Sequence, residues 1–209
     1  MRVLAIDTTQ DACQAAVIDG ARTLAVRSEP MQRGHQERLG PLVAQVMAES
    51  GIGFEVLGRI GVTVGPGSFT GLRVGLAFAK GLALALDVPC VGISSLQALA
   101  SGRPGKVAAV LDARRDQVYL QLFDGGHSRS EPMAVSLLDA SEQVCAFAGA
   151  EPITLCGPGA GLIADHLKAA LAPSCPDPVL VAHLAADAEE PLAPPRPIYL
   201  RAPDARLPA

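Results

Sequence analysis

Residues 60–99 read IGVTVGPGSFTGLRVGLAFAKGLALALDVPCVGISSLQAL, and this stretch decides the fold. It predicts a buried strand, a glycine-rich turn, a long helix rich in small residues, a second buried strand and the start of another helix. A strand that leads through glycines into a helix is typical of α/β folds that handle phosphate. The last helix carries Ser94, Ser95 and Leu99 where a metal enzyme or an acid–base enzyme would need its ligands. The stretch therefore predicts a nucleotide-type fold that lacks catalytic side chains.

The composition describes an apolar, ordered chain of 209 residues, 49% hydrophobic and 18% charged, with a net charge of −4. Aromatic residues make up only 3%, which weighs against a base-stacking surface, and the acidic balance gives no general attraction to phosphate backbones. The longest apolar run, residues 74–86, is too short for a bilayer and contains Lys80. The cysteines and histidines show no metal-ligand spacing. We therefore expect a soluble, cytoplasmic protein with no membrane partner and no metal site.

The order of elements predicts two halves of similar design. Three strands, a helix, a strand, a helix and a strand are expected before the glycine- and proline-rich segment 101–105. Paired strands, a helix over residues 137–147, a strand over 153–156 and a helix over 162–171 are expected after it. The predicted division is an N-terminal lobe over residues 1–101, a smaller C-terminal lobe over 102–190, and a proline-rich tail over 191–209 that packs back on the first lobe.

Three turns are candidates for contact with phosphate, and each has a purely structural alternative. Asp7-Thr8-Thr9 can hold a metal–phosphate complex, or can form a hairpin turn that bonds its own backbone. The segment GPGSFTG, residues 65–71, is neither a Walker loop nor a complete GxGxxG, but its glycines and helix start can meet an anion. Gly157 and Gly159 lie between a strand and a helix, where an adenosine could rest or where a tight turn is needed.

The segment Asp112-Ala113-Arg114-Arg115 allows two interpretations. Its arginines can bind phosphate or a partner's carboxylate in bidentate fashion, or the segment is a charged turn between two strands.

The predicted helix over residues 70–86 carries two rows of small residues, Gly71-Gly75-Ala79 and Ala77-Gly81-Ala85. A glycine inside a helix costs about 1 kcal/mol relative to alanine, so these rows indicate close packing. One row is explained by packing inside the lobe. The second row, on a different face, favours contact with a helix of another subunit.

Together, Asp7-Thr8-Thr9, residues 65–89, DARRDQVY at 112–119 and PIYLR at 197–201 resemble the TsaB (YeaZ) family. The resemblance covers residues 1 to about 202. It implies a two-lobed actin-like ATPase (ASKHA/ribonuclease H-like) α/β fold, in which each lobe is a mixed sheet flanked by helices. In the paralogous TsaD family the strand after DVP is followed by two metal-binding histidines in HxxxH spacing. Ser95 and Leu99 stand at those positions here, so the paralogue's metal site does not carry over.

The resemblance implies a non-catalytic subunit of the bacterial machinery that makes threonylcarbamoyladenosine next to the anticodon of tRNA. Such a subunit pairs with a TsaD-like transferase, helps recruit a TsaE-like ATPase, forms a homodimer when alone, and meets tRNA through the complex. No cofactor is expected on this chain alone; ATP or ADP can bind at an inter-subunit surface of the complex. A vestigial nucleotide site would comprise Asp7, Thr8, Thr9, Gly157 and Gly159. The expected partner interface lies on two helices and comprises Leu39, Leu42, Val43, Val46, Met47, Gly71, Val74, Gly75, Phe78 and Leu82.

The alternative is an active ATPase or small-molecule kinase of the same superfamily. It would use Asp7, the turn at residues 157–161, and Asp112 as the second carboxylate. A metalloprotease is a third possibility, but the sequence offers no ligand set for it.

Overall fold

The computed structural model describes residues 1–164, 167, 169–172, 175–190 and 192–201. These residues form two mixed sheets, each flanked by helices, which is the architecture that the sequence predicted. The first sheet has the strand order β3-β2-β1-β4-β5 and the second β11-β10-β6-β7-β8, with β9 also paired to β7.

The first sheet and its helices come mostly from the first half of the chain. Its strands are β1 (Arg2–Asp7), β2 (Ala12–Asp19), β3 (Arg22–Pro30), β4 (Arg59–Thr63) and β5 (Cys90–Ile93). The strand β2 runs antiparallel to both of its neighbours, β1 and β3, while β1, β4 and β5 are parallel. The helices α1 (His35–Ser50) and α2 (Phe69–Leu86) cover one face, on which Leu4 and Ile6 are fully buried. Val3 and Ala5 point to the opposite face, so β1 is apolar on both sides.

The second sheet repeats this pattern of antiparallel and then parallel strands. Its strands are β6 (Lys106–Arg114), β7 (Gln117–Asp124), β8 (His127–Ser128), β9 (Met133–Ser136), β10 (Ile153–Cys156) and β11 (Ala169–Ala172). The helices that follow β5 in the chain are α3 (Ser95–Ala100), α4 (Leu137–Ala148), α5 (Ala160–Ile163) and α6 (Pro178–Asp187). Pairings of β6 with β10 and of β10 with β11 are parallel, whereas β6 and β7 are antiparallel.

Each half contributes one helix to the other half's sheet, which corrects the predicted lobe boundaries. Leu96 and Leu99 of α3 pack in the apolar cluster of β6 and β7. Val181 and Ala185 of α6 pack on the open face of the first sheet, against β1, β4 and β5. Residues 1–101 and 102–190 are therefore not separate packing units, because an amphipathic helix buries its apolar face on whichever sheet the chain brings to it.

Two further differences concern the last third of the chain. The helix predicted over residues 162–171 is wrong in its bounds: α5 begins at Ala160 and ends at Ile163, and Ala169–Ala172 pair with β10 as a strand. Residues 165, 166 and 168 of that segment lie outside the described part. The described tail, residues 192–201, returns to the first lobe, where the Ile198 N–H donates to the Val64 carbonyl. The rest of the predicted tail, 191 and 202–209, lies outside the described residues.

One helix among the described residues, α2, is long and apolar enough to cross a membrane when judged by length and composition alone. It is longer than the apolar run considered from the sequence because it begins at Phe69. Core helices satisfy the same criterion, and α2 packs one face on the first sheet through Leu72, Leu76 and Ala79.

Candidate functional site

Two turns meet at the carboxyl ends of the parallel strands β1 and β4, the usual position of ligand sites in open α/β sheets. The first is Asp7-Thr8-Thr9, and all three of its residues are buried. The second is the GPG turn that leads into α2. The Ser68 N–H donates to the Thr9 carbonyl at 2.8 Å, and the Thr8 hydroxyl donates to the Gly71 carbonyl at 2.7 Å. The two turns therefore bind each other.

The carboxylate of Asp7 is fully occupied by neighbouring groups. Its Oδ1 accepts from the Thr9 N–H at 2.9 Å, the Thr9 hydroxyl at 2.7 Å and the Thr63 hydroxyl at 2.5 Å. Its Oδ2 accepts from Nε2 of Gln14 at 3.1 Å. Asp7 thus acts as an acceptor that ties β1, β2 and β4 together.

The glycines of the second turn are required for close packing. A Cβ on Gly67 would lie 2.4 Å from the Thr9 carbonyl oxygen, and a Cβ on Gly71 would lie 1.9 Å from that of Thr8. A methyl group at either position would push the two turns apart. The turn geometry consequently explains the glycines without an anion.

Ser95 and Leu99, which stand where the paralogous family has histidines, are both buried. The Ser95 N–H donates to the Gly65 carbonyl at 2.9 Å, and its hydroxyl lies 3.1 Å from that of Thr9. Because the Thr9 hydroxyl proton goes to Asp7, Ser95 is the donor in that pair. Leu99 contacts the second lobe, where its Cδ1 lies 3.0 Å from a Cβ built on Gly157. Among the described residues, no group of three or more His, Cys, Asp and Glu side chains could hold a metal.

Gly157 and Gly159 pack against the backbone of β6 in the second lobe, across the cleft from the Asp7-Thr8-Thr9 turn. Gly157 has a φ of +103°, and its Cβ would lie 2.3 Å from the Val110 carbonyl oxygen. The Gly159 N–H donates to the same carbonyl at 3.0 Å. Of the predicted nucleotide residues, Thr9 lines the cleft between the lobes, and Gly157 and Gly159 flank Pro158, which lines it from the other side.

The DARR segment, residues 112–115, forms a strained turn at the end of β6, on the second-lobe side of the cleft. Arg114, Arg115 and Asp116 follow one another with φ values of 63°, 54° and 55°. Non-glycine residues pay about 1–2 kcal/mol each for this left-handed conformation. Asp112 holds the turn, since its Oδ1 accepts from the Arg114 N–H at 2.7 Å and its Oδ2 lies 3.1 Å from Arg114 Nη1. The carboxylate that a kinase would need is therefore engaged with an arginine.

A cleft of about 470 Å³ opens between the two walls. Its lining comes from both candidate turns, from the end of β6 and from the segment before α6. The residues are Thr9, Gln10, Asp11, Gly67, Ser68, Phe69, Leu111, Asp112, Ala113, Arg114, Tyr119, Pro158 and Cys175.

An aromatic cluster at the mouth of this cleft was not identified from the sequence. The rings of Phe69 and Tyr199 lie 5.6 Å apart, and the Arg73 guanidinium carbon lies 3.8 Å from the Phe69 ring centre. Arg201, two residues after Tyr199, donates to the Ala113 carbonyl on the other wall. The signal was present in the sequence: Phe69 directly follows the cap Ser68 and belongs to neither small-residue row.

The predicted interface residues divide into buried and partly buried groups, which corrects their assignment. Most are inside the first lobe, where they pack between α1, α2 and the sheet: Leu39, Leu42, Val43, Val46, Met47, Gly71 and Gly75. Val74, Phe78 and Leu82 are partly buried against the same core. The row Gly71-Gly75-Ala79 faces Thr8 and β4, whereas Ala77, Gly81, Leu84 and Ala85 are exposed. Of the two small-residue rows, the second is therefore the exposed one, and Val74, Phe78 and Leu82 remain partly exposed beside it.

Burial raises the pKa of four of the cysteine thiols. Burial raises the pKa of Cys13, Cys90 and Cys156 to about 11, and for Cys13 the nearby Glu29 carboxylate adds to the effect. Burial also raises the pKa of Cys175 beside the cleft. These thiols are therefore neutral near pH 7 and are poor nucleophiles.

Comparison with known proteins identifies the family and the fold of this chain. The family model TsaD, tRNA N6-adenosine threonylcarbamoyltransferase, matches residues 21–156. The tRNA threonylcarbamoyladenosine biosynthesis protein TsaB of Escherichia coli is 38% identical over 124 residues, covering 57% of this chain and 53% of the relative. The chain thus aligns with about half the length of the curated TsaB proteins.

Two further relatives cover nearly the whole chain. An uncharacterized protein of Mycobacterium tuberculosis is 35% identical over 98% of this chain and 93% of its own length. The solved structure of YeaZ from Pseudomonas aeruginosa has a TM-score of 0.80 at 28% identity, and the match covers 95% of this chain and 99% of that one. The chain belongs to the TsaB (YeaZ) family and has its two-lobed actin-like ATPase fold.

Proposed function

We propose that this chain is a non-catalytic subunit of the machinery that synthesises threonylcarbamoyladenosine in tRNA. The observation that carries the proposal is its similarity to proteins named for that biosynthesis in Escherichia coli and Bacillus subtilis. Transfer of the threonylcarbamoyl group is assigned to a TsaD-like partner, whose family model also matches this chain.

The site supports a subunit without chemistry of its own. A kinase of this fold needs an unengaged carboxylate at the first turn of each lobe, but Asp7 accepts four hydrogen bonds from its own neighbours and Asp112 is paired with Arg114. The glycine turns are closed against backbone carbonyls. Asp7, Thr8 and Thr9 then hold the first sheet and the start of α2 together, and Gly157 and Gly159 pack on β6. ATP or ADP binds at a surface shared with another subunit.

The exposed row of α2 supplies the docking face. Ala77, Gly81 and Ala85 let another helix approach closely, and Leu84 stands beside them with 85% of its surface exposed. An apolar face of this kind favours a protein partner. In the proposed complex the TsaD-like transferase covers it, a TsaE-like ATPase is recruited to the pair, and a second copy of this chain covers it when the transferase is absent. The complex assembles in the cytoplasm, away from membranes.

A matched pair of leucine substitutions tests the proposal. Leu84→Arg should weaken binding to the cognate TsaD-like transferase at least tenfold, or about 1.4 kcal/mol, because truncating central interface residues costs this much or more. Leu138 on α4, also an exposed leucine at 69%, provides the control Leu138→Arg, which should bind normally. Binding is measured by co-purification and by calorimetric titration.

Wild-type affinity of the Leu84→Arg variant would contradict the docking face. Turnover of Mg-ATP by the isolated wild-type chain would contradict the non-catalytic role and favour the kinase.

A further inference from the structure

The aromatic cluster at the cleft mouth concentrates the exposed aromatic surface of an aromatic-poor chain. Among the described residues, Phe69 and Tyr199 are the aromatic side chains that are more than a third exposed, at 55% and 50%. They lie in contact although 130 positions separate them in the sequence. Phe69 keeps this exposure even with Arg73 stacked on it. The two half-exposed rings are inclined at 39° and form a platform of two faces, on either of which a flat ligand can stack.

The segments that carry this platform are positively charged on a chain that is negative overall. The helix α2 contains Arg73 and Lys80, the described tail contains Arg196 and Arg201, and neither segment has an Asp or Glu. The whole chain, in contrast, has a net charge of −4. Arg73 forms no ion pair with any carboxylate among the residues that the structure describes. Arg73, which stacks on Phe69, therefore remains available to an anionic ligand at this edge of the cleft.

The platform is distinct from the docking face on the same helix. Phe69 lies in the first turn of α2, whereas Gly81 lies 12 residues further on, about 18 Å along the helix axis at 1.5 Å per residue. The tail fixes the platform relative to both lobes: the Ile198 N–H donates to the Val64 carbonyl, and the Arg201 guanidinium donates to the Ala113 carbonyl. A ligand on Tyr199 therefore lies at the junction between the lobes.

We propose that Phe69, Tyr199 and Arg73 form a binding site for single-stranded RNA, in which an unpaired nucleotide of the tRNA loop stacks on the aromatic rings. The inference rests on the proposed function, which supplies an RNA substrate. Unstacked bases bind to aromatic side chains whatever their identity, while arginines contact the phosphates. The strand is expected to follow α2 and the described tail, which carry Arg73 and Arg196 and contain no Asp or Glu.

Photocrosslinking in the assembled complex of the full chain with its transferase provides a direct test. Tyr199→p-benzoylphenylalanine should form an adduct with labelled tRNA upon irradiation. The control Leu138→p-benzoylphenylalanine, at an exposed position outside the cleft, should not. If the Tyr199 variant forms adducts with the transferase alone, or none with RNA, the site is a protein contact or has no partner, and the inference is overturned.

Affinity measurements by fluorescence anisotropy provide the second test. Phe69→Ala and Tyr199→Ala should each weaken tRNA binding by the complex about 5- to 100-fold, the range for loss of one stacked base. Arg73→Gln should reduce the salt dependence of binding by about one phosphate contact. Affinities within twofold of wild type for both aromatic variants would overturn the inference.

Assembly of the same preparations separates the two proposals. If the variants assemble normally with the transferase and still bind tRNA as wild type, the RNA site is wrong and the proposed function stands. If the wild-type chain does not assemble, the proposed function fails, and titration of the isolated chain and its Phe69→Ala variant with tRNA decides the RNA site.

Discussion

Glycine-to-alanine substitutions at two positions of α2 should change stability in opposite directions. Gly81 and Gly75 have the same backbone preference, and alanine is favoured over glycine in a helix by about 0.5–1 kcal/mol. A Cβ on Gly81 meets no atom within 4 Å, so Gly81→Ala should stabilise the fold by about that amount. A Cβ on Gly75 would lie 2.5 Å from the buried Thr8 hydroxyl oxygen.

The expected loss of stability in Gly75→Ala arises because the Thr8 side chain cannot easily move away from the new methyl group. Its side chain is buried and its hydroxyl is held by the Gly71 carbonyl, so it must move by nearly 1 Å to reach ordinary contact distance. Overpacking of this kind costs about 1–3 kcal/mol and the weakened hydrogen bond about 1 more, so Gly75→Ala should destabilise the fold by about 1–3 kcal/mol overall. Gly71→Ala should cost more again, because its Cβ would meet the Thr8 backbone.

Urea unfolding followed by circular dichroism measures these differences, at concentrations low enough that the midpoint is independent of concentration. In a thermal unfolding experiment on a chain of this size, each kcal/mol corresponds to about 2–4 °C in Tm. On a Thr8→Ala background the Gly75→Ala penalty should shrink, since the atom that the new methyl meets is gone. A Gly75→Ala variant as stable as wild type, or a destabilised Gly81→Ala, would refute the assignment of the two rows.

Two further predictions concern buried polar groups. Arg59→Met should destabilise the fold by about 3–5 kcal/mol, because the buried guanidinium donates to the Ala185, Ala186 and Ala188 carbonyls at the end of α6. Arg2→Met, which removes a half-exposed ion pair to Asp19, should cost about 1 kcal/mol or less, and equal losses in the two urea titrations would contradict this. Stability should also fall between pH 9 and 11: the raised pKa of the buried Cys13 thiol keeps it protonated in the folded chain while the unfolded chain ionises, a difference of about 2–3 kcal/mol. A Cys13→Ala variant should show a shallower alkaline decline in its urea midpoint, and an identical decline would contradict the assignment.

The first half of the fold could be predicted because its signals are local. Helical spacing of Leu39, Val43 and Val46 identifies α1, and the apolar runs of β1 and β4 identify strands that are buried on both faces. The strand β11 could not be predicted, since Ala169–Ala172 has no β-branched residue and becomes a strand only by pairing with β10.

The candidate site was predictable in its position but not in its detail. Residue types and strand order place Asp7 and the glycine turns at one cleft, yet periodicity does not tell which small-residue row meets the sheet. That choice is decided by Thr8, whose hydroxyl donates to the Gly71 carbonyl from a turn 63 residues earlier in the chain. Tyr199 could not be placed beside Phe69 for the same reason, because no local pattern links the tail to α2.

The exchange of α3 and α6 between the two sheets affects how the chain folds during its synthesis on the ribosome. The last strand of the first sheet ends at Ile93, but α6, which covers one face of that sheet, begins only at Pro178. At typical synthesis rates these roughly 85 residues take about 4–17 s. For that interval Val3 and Ala5 lie on an uncovered apolar face. We therefore expect chaperones to bind the nascent first half through this apolar face. Neither half is expected to fold when it is expressed by itself.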